Sequence, residues 1–181
     1  MRRVDITGIA LEAHTGAPLV VLREQDEPHR LLPIFIGAPE ASAIAIAATG
    51  QRAPVPLVHD VMAALVTSLD GRVEAVEVTD LQDGTYRASI SLSGPGGARR
   101  VGSRPSDALA LAARTGAEVY VADEVLDVAG TLPTPDDATS DESEADAAAI
   151  EAEVDSFRSF LDDVDPADFI DVDPLDDTDG D

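Results

Sequence analysis

Glu40, His59, Asp60, Arg104, Ser106 and Asp107 are side chains of types that perform hydrolytic chemistry. Carboxylates hold divalent cations or take a proton from water, and an imidazole titrates close enough to neutral pH to act as a general base. A guanidinium clamps an anion through two parallel N–H bonds. Gathered in one cleft, Glu40, His59, Asp60 and Asp107 would activate a water. Arg104 and Ser106 would hold the oxygens of an anionic substrate, and Glu40 with Asp107 would ligate Mg²⁺ or Mn²⁺. Each residue also has a plainer use. The three acids fit the first turns of helices, where the dipole favours negative charge. Ser106 can bond backbone N–H groups, Arg104 can pair with Asp107 or Asp60 to join two elements, and a lone His beside an acid is often structural. The catalytic arrangement requires the acids and His59 in one open cluster; the structural one requires a buried, fully paired Arg104 with the acids apart.

The element that must position these groups runs from Val101 to Gly116. Pro105 has a preset φ and needs no N–H in a first turn. Asp107 follows in that turn, and Gly116 suits a left-handed stop. The stretch occurs twice. A shift of 65 residues lays Ile36 to Ala48 over Val101 to Ala113, matching Gly37 with Gly102 and four alanines with four alanines. Each copy follows two strand-like runs, Leu19–Arg23 with Leu31–Ile36 and Tyr86–Leu92 with Arg99–Val101. Such internal repetition bears directly on fold and implies duplicated hairpin-plus-helix units.

Around them, Val4–Ala13 reads as a first strand, and Gln51–Pro56 as a connector. His59–Leu69 reads as a helix with Val61, Leu65 and Leu69 on one face with Met62. Val73–Thr79 alternates as a strand, and Asp83-Gly84 marks a two-residue hairpin turn. Glu118–Ala122 reads as a last strand. Glu24–Arg30 and Ser93–Ala98 read as loops. The class is α+β, one compact domain over residues 1–130.

Charge divides the chain. Residues 1–130 carry a net −6 and residues 131–181 a net −18, so the overall −24 belongs chiefly to the tail. All basic groups are arginine. The absence of cysteine excludes disulfides, thiolate metal sites and cysteine nucleophiles, and no run approaches the ~20 apolar residues of a membrane span. The chain therefore reads as soluble and cytoplasmic. Residues 131–146 have the composition of an acidic linker. Within 147–181, Ile150, Val154, Phe157, Leu161 and Val164 recur at heptad spacing, an amphipathic helix too short to stand alone.

Taken together, Leu32-Pro33-Ile34-Phe35-Ile36-Gly37 with Glu40, His59-Asp60-Val61-Met62 and Arg104-Pro105-Ser106-Asp107-Ala108-Leu109-Ala110 resemble the bacterial bifunctional nuclease domain family in order and spacing, over about residues 3–130. The resemblance implies an α+β fold of duplicated units and cleavage of both DNA and RNA. Two positions depart from the family: Val58 stands where Thr often precedes the His-Asp pair, and Gly102 where an acid often lies two residues before the Arg. If that acid were a metal ligand, this chain would lack it. No Gly-rich phosphate loop or other sharp hydrolase signature is present, and the basic and aromatic footprint for nucleic acid is sparse. The rival reading is a non-catalytic interaction or regulatory module, binding a protein partner or a second copy through Phe157, Phe160 and Leu161. A third is small-anion binding between the two repeat helices.

Overall fold

A computed structural model describes residues 1–50 and 53–133. The helix expected within 147–181, with Phe157, Phe160 and Leu161, and the linker beyond residue 133 lie outside the described residues. Those described belong to one unit of the chain, Met1–Asp137.

Among the described residues, seven strands make one mixed sheet: β1 (Arg2–Leu11), β2 (Pro18–Glu24), β3 (Leu31–Phe35), β4 (Arg72–Gln82), β5 (Thr85–Ser93), β6 (Arg99–Ser103) and β7 (Glu118–Val121). Their order is β3-β2-β1-β7-β4-β5-β6. All neighbours are antiparallel except β4 and β7. Two meanders thus flank a short central strand. The Asp83-Gly84 turn has positive φ at both residues, as a tight hairpin between right-twisted strands demands. Pairing through that turn carries β4 to Gln82, beyond the alternating stretch that ends at Thr79.

The described residues also form four helices: α1 (Ala38–Ala48), α2 (Val58–Ser68), α3 (Pro105–Thr115) and α4 (Asp123–Ala129). The sheet buries one face. Val20, Leu22 and Glu24 of β2, Leu32 and Ile34 of β3, and Val76 and Val78 of β4 are buried, while the intervening Pro33 and Phe35 are exposed. This is the period-2 pattern of a sheet covered on one side.

Helix α3 is the keystone. It packs on β4, β5 and β7 and is flanked by α1 and α2, so every residue from Ala108 to Ala112 is buried. A helix enclosed on several sides is apolar all round, which accounts for an Ala/Leu alternation that by itself resembles a strand. Gly116 takes the left-handed conformation at φ 72° and its N–H bonds Ala112 O, ending the helix. Aligned by their first residues, α1 and α3 bring Glu40 onto Asp107. The 65-residue shift instead laid Glu40 on Pro105, because alanine matching ignores where a helix begins.

Two further readings are corrected in detail. Thr131, placed by composition at the start of the linker, exchanges both backbone hydrogen bonds with Leu31, at 2.8 and 2.9 Å, and so closes the sheet edge. Glu24 is not part of an exposed polar loop; it ends β2 on the buried face and is paired with Arg30 at 2.8 Å. Among the described residues, no helix is long and apolar enough to cross a membrane.

Candidate functional site

The first turns of α1 and α3 meet through one guanidinium. Arg104 is the residue immediately before α3, in extended backbone conformation, so its side chain lies over the turn that follows. Its Nε and Nη2 donate to the two oxygens of Asp107, both at 2.8 Å, in a bidentate fork. Nη2 also donates to Glu40 Oε1 at 2.8 Å. Among the described residues no acceptor is recorded for Nη1, and the Arg104 side chain is 68% exposed, against 14% for Glu40 and 28% for Asp107.

Gly37, just ahead of α1, shapes the Glu40 side of this cluster. A Cβ at that position would overlap Glu40 Oε2, so the absent side chain leaves the carboxylate room to fold back over its own helix start. This gives the Gly37 of the first motif a spatial reason that spacing alone does not provide.

Behind the carboxylates lies His59. It is buried in the first turn of α2, and its Nε2 is 3.7 Å from Asp107 Oδ1, beyond hydrogen-bond range but close enough for a charge interaction. The bidentate guanidinium holds the Asp107 carboxyl below the usual carboxylate range; partial burial opposes this, and His59 adds a smaller effect in the same direction. Asp107 and Glu40 in turn raise the pKa of Arg104, which stays charged throughout the accessible range.

The remaining candidates fall elsewhere. Asp60 Oδ2 accepts the Leu57 N–H at 2.9 Å, and Oδ1 lies 2.7 Å from Arg114 Nε. Asp60 therefore caps α2 and ties it to α3. Ser106 is buried in the first turn of α3. The structure brings Glu40, Arg104, Asp107 and His59 into one connected chain of contacts, and gives Asp60 a different partner. Arg114, which the sequence reading passed over, is that partner; its place in the last turn of α3 was the available signal.

Neither initial geometry is met in full. Arg104 is paired, as the structural reading required, yet it is exposed, and the acids are bridged rather than apart. The donor set does not fit a divalent cation in this arrangement. Both carboxylates face a permanent positive charge, and among the described residues no group of three or more His, Asp or Glu side chains is placed to hold a metal ion.

The sequence pattern of the bifunctional nuclease domain matches residues 20–133, which include all of these groups. Two curated relatives come from Mycobacterium tuberculosis: uncharacterized protein MT1877 of strain CDC 1551 / Oshkosh and uncharacterized protein Rv1829 of strain ATCC 25618 / H37Rv. Each is 41% identical over 169 residues, covering 93% of this chain and 98% of the relative. The similarity therefore continues past the matched domain into the acidic C-terminal residues. By this match and these relatives, the chain belongs to the bifunctional nuclease domain family.

Proposed function

We propose that this chain hydrolyses phosphodiester bonds of DNA and RNA at the Glu40–Arg104–Asp107 cluster. The observation that carries the reading is membership of the nuclease-domain family over the segment that contains the cluster. The exposed Arg104 supports it, being a fixed cation whose side chain is 68% open to solvent. In this reading Arg104 neutralises charge on the phosphate oxygens. The oxygen of a water forms a bond to phosphorus as its proton passes to Glu40, the bond from phosphorus to the departing oxygen breaks, and that oxygen takes a proton from solvent water. His59, buried behind Asp107, adds to the charge stabilisation of that carboxylate, whose orientation Arg104 fixes. Because the carboxylates face Arg104 and do not fit a divalent cation as arranged, no step is assigned to Mg²⁺ or Mn²⁺, and the assay tests for a dependence on either.

A second reading is favoured by that same pairing. Arg104 joined to Glu40 and Asp107, with Arg114 joined to Asp60, would hold α1, α2 and α3 together in a non-catalytic interaction module. Its partner contact would lie in the tail at Phe157, Phe160 and Leu161.

Purified protein incubated with labelled single- and double-stranded DNA and RNA, in Mg²⁺, in Mn²⁺ and in EDTA, separates the two. For the nuclease, cleavage falls at least a hundredfold in folded Asp107→Asn and Glu40→Gln. Cleavage unchanged in both variants, or absent from the wild-type chain, leaves the interaction module.

A further inference from the structure

The sheet face opposite the buried one has two unlike halves. Toward the β6 edge, strand pairing sets Arg3, Glu118, Tyr120, Glu77 and Arg100 on it. These groups satisfy one another. Arg3 lies 2.9 Å from Glu118, Arg100 lies 2.6 Å from Glu77, and the Tyr120 hydroxyl donates to Glu118 at 2.7 Å. Toward the β3 edge the same face is apolar. Register sets Phe35 beside Leu19 and Leu19 beside Ala10, and in the next row Pro33 beside Val21. Phe35 is 65% exposed, whereas Tyr86 and Tyr120, the other aromatic residues among those described, are partly covered. One row further, Arg23 stands exposed beside Leu31. The acid paired with it on β1, Asp5, accepts the Gln25 Nε2 at 2.8 Å. A contiguous apolar surface of this kind marks an interaction site.

Strand β3 leads from this surface into the candidate site. Phe35 ends the strand, Gly37 precedes α1, and Glu40 stands in the first turn of α1, bonded to Arg104. The five residues from Phe35 to Glu40 span about 17 Å at most. In the other direction Arg23 is level with Leu31, about 14 Å along the strand from Phe35. Along β3 and its continuation, the exposed ring therefore stands between two arginines.

We propose that Phe35 is a stacking platform for an unpaired base of a DNA or RNA strand whose scissile phosphate lies at the Glu40–Arg104–Asp107 cluster, and that Arg23 meets a phosphate further along that strand. The identity of the strand rests on the nuclease reading. Every base has a π-face, so stacking on a phenyl ring tolerates any sequence and either sugar, at about 1–3 kcal/mol per base. A base inside a duplex is already stacked on both faces, so the ring serves single strands, loops and frayed ends. Leu19, Val21 and Pro33 continue the flat apolar surface on which a splayed base rests. Fixed cations on either side of that surface select a polyanion over an apolar peptide. The aromatic and basic footprint is sparse along the sequence, and the fold sets its members in one line.

The chain contains no tryptophan, so Phe35→Trp introduces its only indole and keeps an aromatic ring at the position. Its emission, read on mixing, should be quenched saturably by a single-stranded oligothymidylate or oligouridylate and not by a covalently closed duplex. Anisotropy of the same labelled single strands should show Phe35→Ala binding about tenfold more weakly and Phe35→Trp binding like the wild type. Arg23→Gln should reduce the slope of log affinity against log salt by about 0.7, the value for one phosphate contact on a single strand. Both side chains are exposed, so circular dichroism of the variants should match the wild type. The platform and the nuclease fail separately. Cleavage of single strands with a wild-type KM in Phe35→Ala, and no quenching of Phe35→Trp, overturns the platform and leaves the nuclease. Quenching by single strands that the wild-type chain does not cleave upholds the platform and overturns the nuclease. Equal quenching by the closed duplex rejects the platform, because paired bases do not reach the ring. Neither quenching nor cleavage rejects both and leaves the apolar rows to a protein partner.

Discussion

Asp107 bears most of the electrostatic interaction at the candidate site. It accepts both arms of the Arg104 fork and is the nearest charge to His59. Its carboxyl is held below its ordinary value mainly by the Arg104 hydrogen bonds. A depressed carboxyl pKa contributes stability that is present above the unfolded value, about 3.9, and is lost as pH falls through the lower folded value. Asp107→Asn should therefore lower the melting temperature at pH 7 and flatten its decline between about pH 4 and pH 2. The loss should be about 1 kcal/mol, since Arg104 is largely exposed. Melting curves across that range check this, and a variant with the acid limb of the wild type would show that Arg104 gives Asp107 no net stabilisation. Sequence alone located Glu40, Arg104 and Asp107 through their positions at helix starts, and it named the Arg104–Asp107 pairing as one alternative. It could not place Glu24, because a run of polar residues from Glu24 to Arg30 has the composition of a loop. The period-2 series Val20, Leu22, Glu24 was the overlooked sign that this acid shares the buried face.

At the scale of elements, the site depends on α3. Its first residues carry the acid and the guanidinium, while the rest of the helix is fixed by packing on three strands and two helices. Leu109 and Leu111 are among the fully buried side chains. Truncating Leu109 to Ala should cost about 3 kcal/mol, read by urea denaturation, with the midpoint shifting and the slope retained. A cost under about 1 kcal/mol would mean that the neighbouring helices close the cavity and that α3 is held less firmly than its burial implies. The limits of this helix were legible from Pro105 and Gly116, since both act through local backbone geometry. The enclosure of α3 was not, because Ala/Leu alternation is compatible with either a strand or a helix buried on all sides. The outer face of α2 shows the same limit. Val61, Leu65 and Leu69 form a row in the sequence, but periodicity does not say whether a row meets the core or water. Here His59, Met62, Ala63 and Val66 take the core side instead.

Across the whole molecule, charge is set against the proposed substrate. The segment from residue 131 onward carries a net −18, three times the net −6 of the preceding residues, and it lies on the same chain as an anion-directed Arg104. On the nuclease reading, a covalently attached charge of this size should repel polyphosphate and compete for the arginines at any protein concentration. Removing residues 134–181, which leaves the Thr131–Leu31 pairing intact, should raise affinity for a labelled oligonucleotide about tenfold at low salt. The difference between full-length and truncated protein should shrink as salt shortens the screening length from about 30 Å at 0.01 M to about 8 Å at 0.15 M. Fluorescence anisotropy over that salt series, on truncated protein shown to fold by circular dichroism, provides the measurement. A gain that persists undiminished at high salt would mean that the tail blocks the site by contact rather than by charge. Equal affinity at every salt concentration would remove the tail from nucleic-acid binding altogether.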